Sequence, residues 1–364
     1  MKTYRIATIP GDGIGKEVVP AGRQVLEALA KTQRGFAFEF TDFGWGGDWY
    51  RAHGEMMPAD GLDALRGMDA ILFGSAGDPN IPDHVTLWGL RLKICQGLDQ
   101  YANVRPTRIL PGIDAPLKRC ASGDLDWVIV RENSEGEYAG MGGRVHQGHP
   151  IEAATDVSIM TRAGVERILR FAFRLARSRP RKKLTVVTKS NAQRHAMVMW
   201  DEIAREIAAE FPEVSWDKEL VDAATVRMVN KPASLDTVVA TNLHADILSD
   251  LAAALAGSLG IAPTANLDPE RRYPSMFEPI HGSAFDIMGQ GIANPVGTFW
   301  SCAMMLEHLG EPRAAQSLMR AIERITADPA LHTRDLGGKA TTAEVTRAAC
   351  AFVAAEAESK ERVA

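Results

Sequence analysis

The strongest constraint on the fold is the alternation of two hydrophobic periods along the chain. Residues 5–10 carry a strand pattern, 15–30 an amphipathic helix, 36–40 a strand, and 70–73 a third strand entering Gly74-Ser-Ala-Gly77. Strands alternating with helices indicate a mostly parallel sheet covered by helices. A helix over 87–98 leads into a strand at 101–105, and 127–131 is another strand. From 132 to 156 the alternation breaks into a Gly-rich, His-containing stretch with period-2 segments, which reads as an antiparallel arm reaching a partner chain. Alternation resumes with helix 162–177, strand 184–188, helix 192–210 and strands near 219–222 and 237–240. Residues 263–279 read as loop, and the C-terminal third as helical. A chain of 364 residues is long enough for two domains. The expected division is 1–100 with 253–364 as a large domain, and 101–252 as a small one.

The most informative single stretch is Thr241-Asn-Leu-His-Ala-Asp246-Ile-Leu-Ser-Asp250-Leu. Thr241 or Asn242 can cap a helix whose apolar residues recur at helical spacing. Asp246 and Asp250 then project from one face. Like charges so placed repel by roughly 0.2–0.5 kcal/mol, and by more when desolvated, unless a cation lies between them. The face continues through Ala253, Ala254 and Gly257, small residues unlike the Lys/Glu stripe of a solvated helix. A metal site and a pair of ordinary surface acids both remain open from this stretch alone.

Bulk properties exclude several classes. Net charge is −5, so no basic field points to nucleic acid. Cys95, Cys120, Cys302 and Cys350 are scattered without a CxxC pair, which argues for a reducing compartment and against a zinc or disulfide framework. No signal-peptide pattern opens the chain, and its most apolar stretch, 251–262, is too short to span a bilayer. A cytoplasmic protein with no membrane partner is expected. Gly11-Asp-Gly-Ile-Gly15 invites a dinucleotide reading but fits it poorly. Lys16 stands where the third glycine belongs, and no acid ends the strand at 36–40 in the usual place.

Arg105 and Arg131 close strand-like runs, where ligands of parallel sheets collect, and arginine suits a bidentate grip on a carboxylate. A structural salt bridge explains either one equally well. Lys189 ends the strand at 184–188 and can serve as a base, or be an ordinary strand-end lysine. Tyr138, in the irregular segment, can donate a proton or pack at an interface. Asp222, read at a strand end, adds a third carboxylate, enough for Mg2+ or Mn2+ with substrate and water oxygens.

Six ordered blocks together resemble the β-decarboxylating dehydrogenases of 2-hydroxy acids, the isocitrate/isopropylmalate dehydrogenase family. They are Ile9-Pro-Gly-Asp-Gly-Ile-Gly15, Tyr101-Ala-Asn-Val-Arg-Pro106, Val130-Arg-Glu-Asn133, Thr188-Lys-Ser-Asn191, the stretch Asn242 through Gly260, and Glu278-Pro-Ile-His-Gly-Ser-Ala with Ile-Ala-Asn-Pro295. The resemblance implies an α/β fold distinct from the Rossmann type, with two domains around a mostly parallel sheet. Its large, discontinuous domain would bind NAD, and its small domain would dimerise through an antiparallel arm. It further implies a homodimer with shared active sites. Asp246 and Asp250 would bind the metal from one subunit and Asp222 from the other. Arg105 and Arg131 would hold substrate carboxylates, Lys189 of the partner would take the hydroxyl proton, and Tyr138 would protonate the enol. His281, Gly282, Ala284 and Asn294 would line the adenosine site. Asp286 would accept from the ribose 2′-OH and repel a 2′-phosphate, favouring NAD over NADP. A monovalent cation such as K+ is a further candidate cofactor.

Family members with large substrates carry an arginine ten residues before the Arg105 position, and here that place is Cys95. Trp88, Arg91 and Leu92 would meet the substrate's variable group. The segment Thr86-Leu-Trp-Gly-Leu-Arg-Leu-Lys-Ile-Cys-Gln resembles the subgroup acting on the four-carbon acids tartrate and D-malate. Arg91 would either supply the missing guanidinium or form a salt bridge on its helix. The expected activity is thus oxidation of a four-carbon 2-hydroxy dicarboxylate, with or without decarboxylation. An isopropylmalate-type enzyme is the alternative, and a non-catalytic assembly or regulatory paralogue the alternative from another class.

Overall fold

The computed structural model describes residues 1–33, 35–118, 120 and 123–361. In chain order the strands are β1 (Lys2–Gly11), β2 (Phe36–Asp42), β3 (Ala70–Ser75), β4 (Ala102–Arg108), β5 (Asp126–Glu132) and β6 (Gly136–Val145). They continue with β7 (Ala153–Ile159), β8 (Lys183–Thr188), β9 (Ser215–Leu220), β10 (Thr237–Ala240), β11 (Pro263–Leu267) and β12 (Ser275–Pro279). The chain forms two compact units. One comprises Met1–Gln100, Arg108–Lys118 and Ala253–Ala364, and the other Tyr101–Thr107 with Arg119–Ala252.

In the first unit the strand order is β2-β1-β3-β12-β11. β1 pairs in parallel with β2 and β3, and β12 in parallel with β3, while β11 runs antiparallel to β12. Helices Gly15–Gln33, Val296–Leu309 and Pro312–Ala327 bury Val25, Leu26, Phe299, Leu306 and Leu318 against Leu72 and Phe277. Ile9, Phe73 and Met276 lie in a second cluster with Leu90, Ile94 and Cys95. The expected loop over 263–279 is therefore corrected to two strands and a turn. Asp268, fully buried, makes that turn by accepting from the backbone N–H of Arg272 at 2.7 Å and Tyr273 at 3.0 Å. Buried Thr264, Asn266, Ser275 and Glu278 blur the apolar pattern by which short strands are recognised.

The second unit has strand order β4-β5-β10-β8-β9, with β10 parallel to both β5 and β8, and β8 parallel to β9. Helix Arg162–Ser178 begins at Thr161, whose hydroxyl accepts from the Gly164 N–H at 3.0 Å, as an N-cap should. The irregular segment is an antiparallel pair, β6 with β7, in a sheet of its own, and leaves Met141, Val145 and Val157 exposed. Asp222 does not end a strand: β9 stops at Leu220, and Asp222 lies in the first turn of helix Val221–Asn230. An acid there is favoured by the helix dipole, and the helix follows β9 directly, Leu220 passing to Val221 with no turn residue between to mark the strand's end.

β5 ends in Glu132, which is almost wholly buried and shapes the turn that follows. Its carboxylate accepts from the backbone N–H of Ser134 at 2.9 Å and of Glu135 at 3.0 Å. Burial pushes this carboxyl up to about 7, and the Ser134 and Glu135 hydrogen bonds only partly oppose it. Between the unfolded value of 4.5 and about 7 the native state holds the extra proton, so stability should fall as pH rises through that window and level off above it. Glu132→Gln should remove a slope worth about 2–3 kcal/mol over that range. Denaturant unfolding at pH 5 and pH 8 checks this, and parallel profiles for the two proteins would contradict it.

Candidate active site

The acidic helix spans Asn242–Leu255. Thr241 is its cap: the hydroxyl faces the His244 N–H at 3.4 Å, while Glu137 accepts from that hydroxyl at 2.9 Å and from the Leu243 N–H at 3.1 Å. Asn242 is thereby released for another task, accepting from Arg131 Nε at 2.8 Å. Because β10 pairs Ala240 with Arg131 of β5, the helix starts beside the carboxyl end of β5. Ligand sites of parallel sheets form at such ends.

Arg131 and Arg105 converge on one carboxylate. Arg131 Nη1 ion-pairs with Asp246 Oδ1, and Arg105 Nη1 lies 3.2 Å from the same oxygen and 3.9 Å from Asp250 Oδ1. Both arginine side chains are about 95% or more buried, at 2% and 5% exposure. Arg105 is oriented by Nε donating to Asn103 Oδ1 at 2.8 Å and Nη1 donating to Ser249 Oγ at 2.5 Å. Tyr138 joins them, its hydroxyl 3.2 Å from Asp246 Oδ2 and its ring 5.2 Å from the Arg131 guanidinium. The alternatives left open for these residues thus meet in one cluster. Desolvation pushes the Asp250 carboxyl up, opposed by Arg105 and reinforced by Asp246. Two oxygen-donor acids on one face suit a hard divalent cation.

Asp222 and Lys189 stand apart from that cluster as a pair. Lys189 Nζ lies 2.5 Å from Asp222 Oδ1 and holds this carboxyl below the usual carboxylate range. Among the described residues, no three His, Cys, Asp or Glu side chains of one chain could hold a metal ion together.

The first unit contains a cavity of about 470 Å3 lined by Ile14, Gly260, His281, Ala284, Asp286, Ile287, Ile292, Asn294, Arg334 and Asp335. Four of the five expected cofactor residues line it. Gly282 adjoins it in sequence, and its carbonyl accepts from His281 Nδ1 at 3.0 Å. Burial lowers the His281 pKa, favouring the neutral ring, and Nε2 is buried without a hydrogen-bond partner among the described residues. An acceptor of this kind beside apolar Ile14, Ile287 and Ile292 fits the amine-bearing edge of an adenine. Ala284 adopts a left-handed φ of 39°, a strained conformation of the kind that collects at ligand sites.

Gly11-Asp-Gly-Ile-Gly15 supports that loop. The Ile14 N–H donates to Ser283 O at 2.8 Å, and a Cβ on Gly13 would stand 1.8 Å from the same oxygen. These glycines permit close backbone docking. Asp335 and Arg334 were missed, lying more than forty residues from the loop they complete. Asp335 Oδ2 accepts from Asn294 Nδ2 at 3.0 Å and Ser258 Oγ at 2.7 Å, so it orders the far wall. Asn103 was also missed. It stands two residues before Arg105 on β4, where strand periodicity places both side chains on one face.

Arg91 donates through Nε to Glu278 Oε1 at 2.8 Å. Cys95 is fully buried in the core of the first unit, and Trp88 is exposed. Among the described residues no helix is long and apolar enough to cross a membrane.

The isocitrate/isopropylmalate dehydrogenase family model matches residues 5–349. A probable tartrate dehydrogenase/decarboxylase of Agrobacterium vitis is 68% identical over 354 residues, covering 97% of this chain and 99% of that protein. A D-malate dehydrogenase [decarboxylating] of Escherichia coli (strain K12) is 49% identical, covering 97% of this chain and 99% of that one. A tartrate dehydrogenase/decarboxylase of Pseudomonas putida is also 49% identical, covering 94% and 96%. The crystal structure of isocitrate dehydrogenase from Methylococcus capsulatus superposes with a TM-score of 0.87 at 37% identity, over 96% of this chain and 99% of that one. The chain belongs to the isocitrate/isopropylmalate dehydrogenase family.

Proposed function

We propose that this protein is an NAD-dependent dehydrogenase that oxidises the four-carbon 2-hydroxy dicarboxylates tartrate and D-malate, with decarboxylation of the product where its chemistry allows. The observation that carries the reading is the convergence of two buried arginines and Tyr138 on the Asp246/Asp250 face. The names borne by the A. vitis, E. coli and P. putida relatives support the substrate class.

Arg105 and Arg131 bind the substrate carboxylates. Their guanidiniums are already desolvated and oriented by Asn103, Ser249 and Asn242, so little ordering remains when substrate arrives. Asp246 and Asp250 of one chain and the partner's Asp222 hold Mg2+ or Mn2+. When bound, such an ion would supply Lewis-acid polarisation of the substrate hydroxyl. The partner's Lys189 receives the hydroxyl proton at Nζ. Its contact with Asp222 brings base and metal ligand to the neighbouring site together, and Lys189 accepts the proton as the neutral amine, the carboxylate having turned from Nζ to the cation. Tyr138 returns a proton from its phenol to the enol carbon or relays it there.

The cavity at His281 takes the adenosine of NAD, the hydride acceptor. Asp286 on its rim accepts from a free ribose 2′-OH and repels a 2′-phosphate. Homodimerisation covers the arm β6–β7 and the apolar side chains Val226, Leu243 and Ile247, all exposed in the single chain.

NADH formation should be seen with D-malate and with a tartrate in the presence of Mn2+, and should cease with EDTA. Turnover of isopropylmalate alone would overturn the four-carbon assignment, and turnover of no hydroxy acid would favour the non-catalytic alternative. Asp250→Asn should weaken Mn2+ binding at least ~10-fold, as loss of a charged ligand does, with circular dichroism unchanged. An unaltered Mn2+ titration would remove Asp250 from the ligand set. Asp286→Lys should shift the NAD/NADP preference in kcat/KM toward NADP by on the order of 10-fold or more. An unchanged ratio would discredit Asp286 as the selector.

A further inference from the structure

Arg91 occupies an unusual place on its helix. The helical stretch 83–97 contains a π turn, Leu87–Arg91, between α-helical segments Asp83–Thr86 and Leu92–Gly97. Such a turn inserts a residue into the helix and re-aims the side chains around it, and it recurs at functional sites. Here it delivers the Arg91 guanidinium to the strand pair β11–β12. Nε donates to Glu278 Oε1 at 2.8 Å, and Nη2 stands 3.5 Å from Asn266 Oδ1. Asn266 Nδ2 closes the triangle by donating to the same Glu278 oxygen at 2.7 Å. Asn266 is fully buried, Glu278 is 4% exposed, and the Arg91 side chain is only 13% exposed. A carboxylate so far from water requires a cation beside it, and one is supplied from within the chain.

Glu278 lies three residues before His281. Its own carbonyl accepts from Ser301 Oγ at 2.8 Å, and the Ile280 N–H donates to Ala262 O at 2.9 Å. Besides its pairing with β11, the end of β12 is thus held by these bonds to its main chain and by the Arg91–Asn266–Glu278 triangle, and the loop 281–286 departs from it. We propose that Arg91 is a positioning residue for this cofactor loop: by neutralising Glu278 it fixes the strand end from which His281 and Asp286 are presented. This rests on the assignment of the cavity to NAD. It gives Arg91 a role other than gripping a substrate carboxylate, since Nε and Nη2 of its guanidinium both face side chains of β11 and β12.

The test measures NADH binding by fluorescence on the substrate-free protein, together with KM for D-malate at saturating NAD. Arg91→Met should weaken NADH binding ~10-fold or more, as removal of one partner from a buried pair does, while KM for D-malate moves less than ~3-fold. The double variant Arg91→Met/Glu278→Gln should recover most of the NADH affinity, because no uncompensated charge is left. Arg91→Lys, which keeps the charge without the fork, should lie between wild type and Arg91→Met and supplies the comparison should Arg91→Met not fold. A rise in KM for D-malate with NADH binding intact would make Arg91 a substrate ligand and overturn the proposal. Equal NADH binding by all variants, or a double variant no better than Arg91→Met, would overturn it too. Failure of the wild-type protein itself to bind NADH would instead overturn the assignment of the cavity.

Discussion

The second unit is built around one carboxylate shared by two guanidiniums. Asp246 receives Arg131 and Arg105 at a single oxygen, and both arginines are too deeply buried to be solvated by water. Taking either charge away would strand the others in a poorly hydrated place, which typically costs 3–5 kcal/mol. The geometry around them follows from that demand. Asn103 and Ser249 orient Arg105, Asn242 orients Arg131, and Thr241 takes over the cap so that Asn242 can do so. What results is a positively charged floor beneath two acids, suited to a polycarboxylate held on a metal ion.

The first unit answers a different problem, presenting the loop that lines the cavity without burying free backbone. Its solution is close packing of main chain on main chain. Gly13 sits where any side chain would strike Ser283 O, and Glu17 accepts from the N–H groups of Gly289 and Gly291 at 2.6 and 3.0 Å. The glycine-rich turn that resembles a phosphate cradle is thereby occupied by protein. This is the physical reason it departs from the GxGxxG pattern.

How much of this was legible beforehand depended on whether the signal was local. Asp246 and Asp250 on one helix face follow from a spacing of four, and Arg105 and Arg131 from their places at strand ends. The antiparallel arm followed from its broken alternation and its period-2 segments. Residues whose partners arrive from far along the chain left no such trace. Asp335 completes a wall with Asn294, forty-one positions away. Arg91 reaches Glu278 because a π turn has displaced it, and no pattern of period 3.6 reveals an inserted residue. The strands β11 and β12 were hidden because buried polar residues, Thr264, Asn266, Ser275 and Glu278, interrupt their apolar Ala265, Met276 and Phe277. Asp222 was misplaced for the opposite reason, since a helix N-terminus can look like the end of a strand.

The central claim is that each metal site takes Asp246 and Asp250 from one chain and Asp222 from another. Subunit complementation tests it most directly. Asp222→Asn and Asp250→Asn homodimers, each expected to be nearly inactive, would be mixed, dissociated and reassociated. Random pairing makes about half the dimers hybrid, each with one of two sites intact, so about a quarter of the wild-type activity should return. If hybrids were formed and no activity returned, the three acids would belong to one chain and the shared site would be refuted.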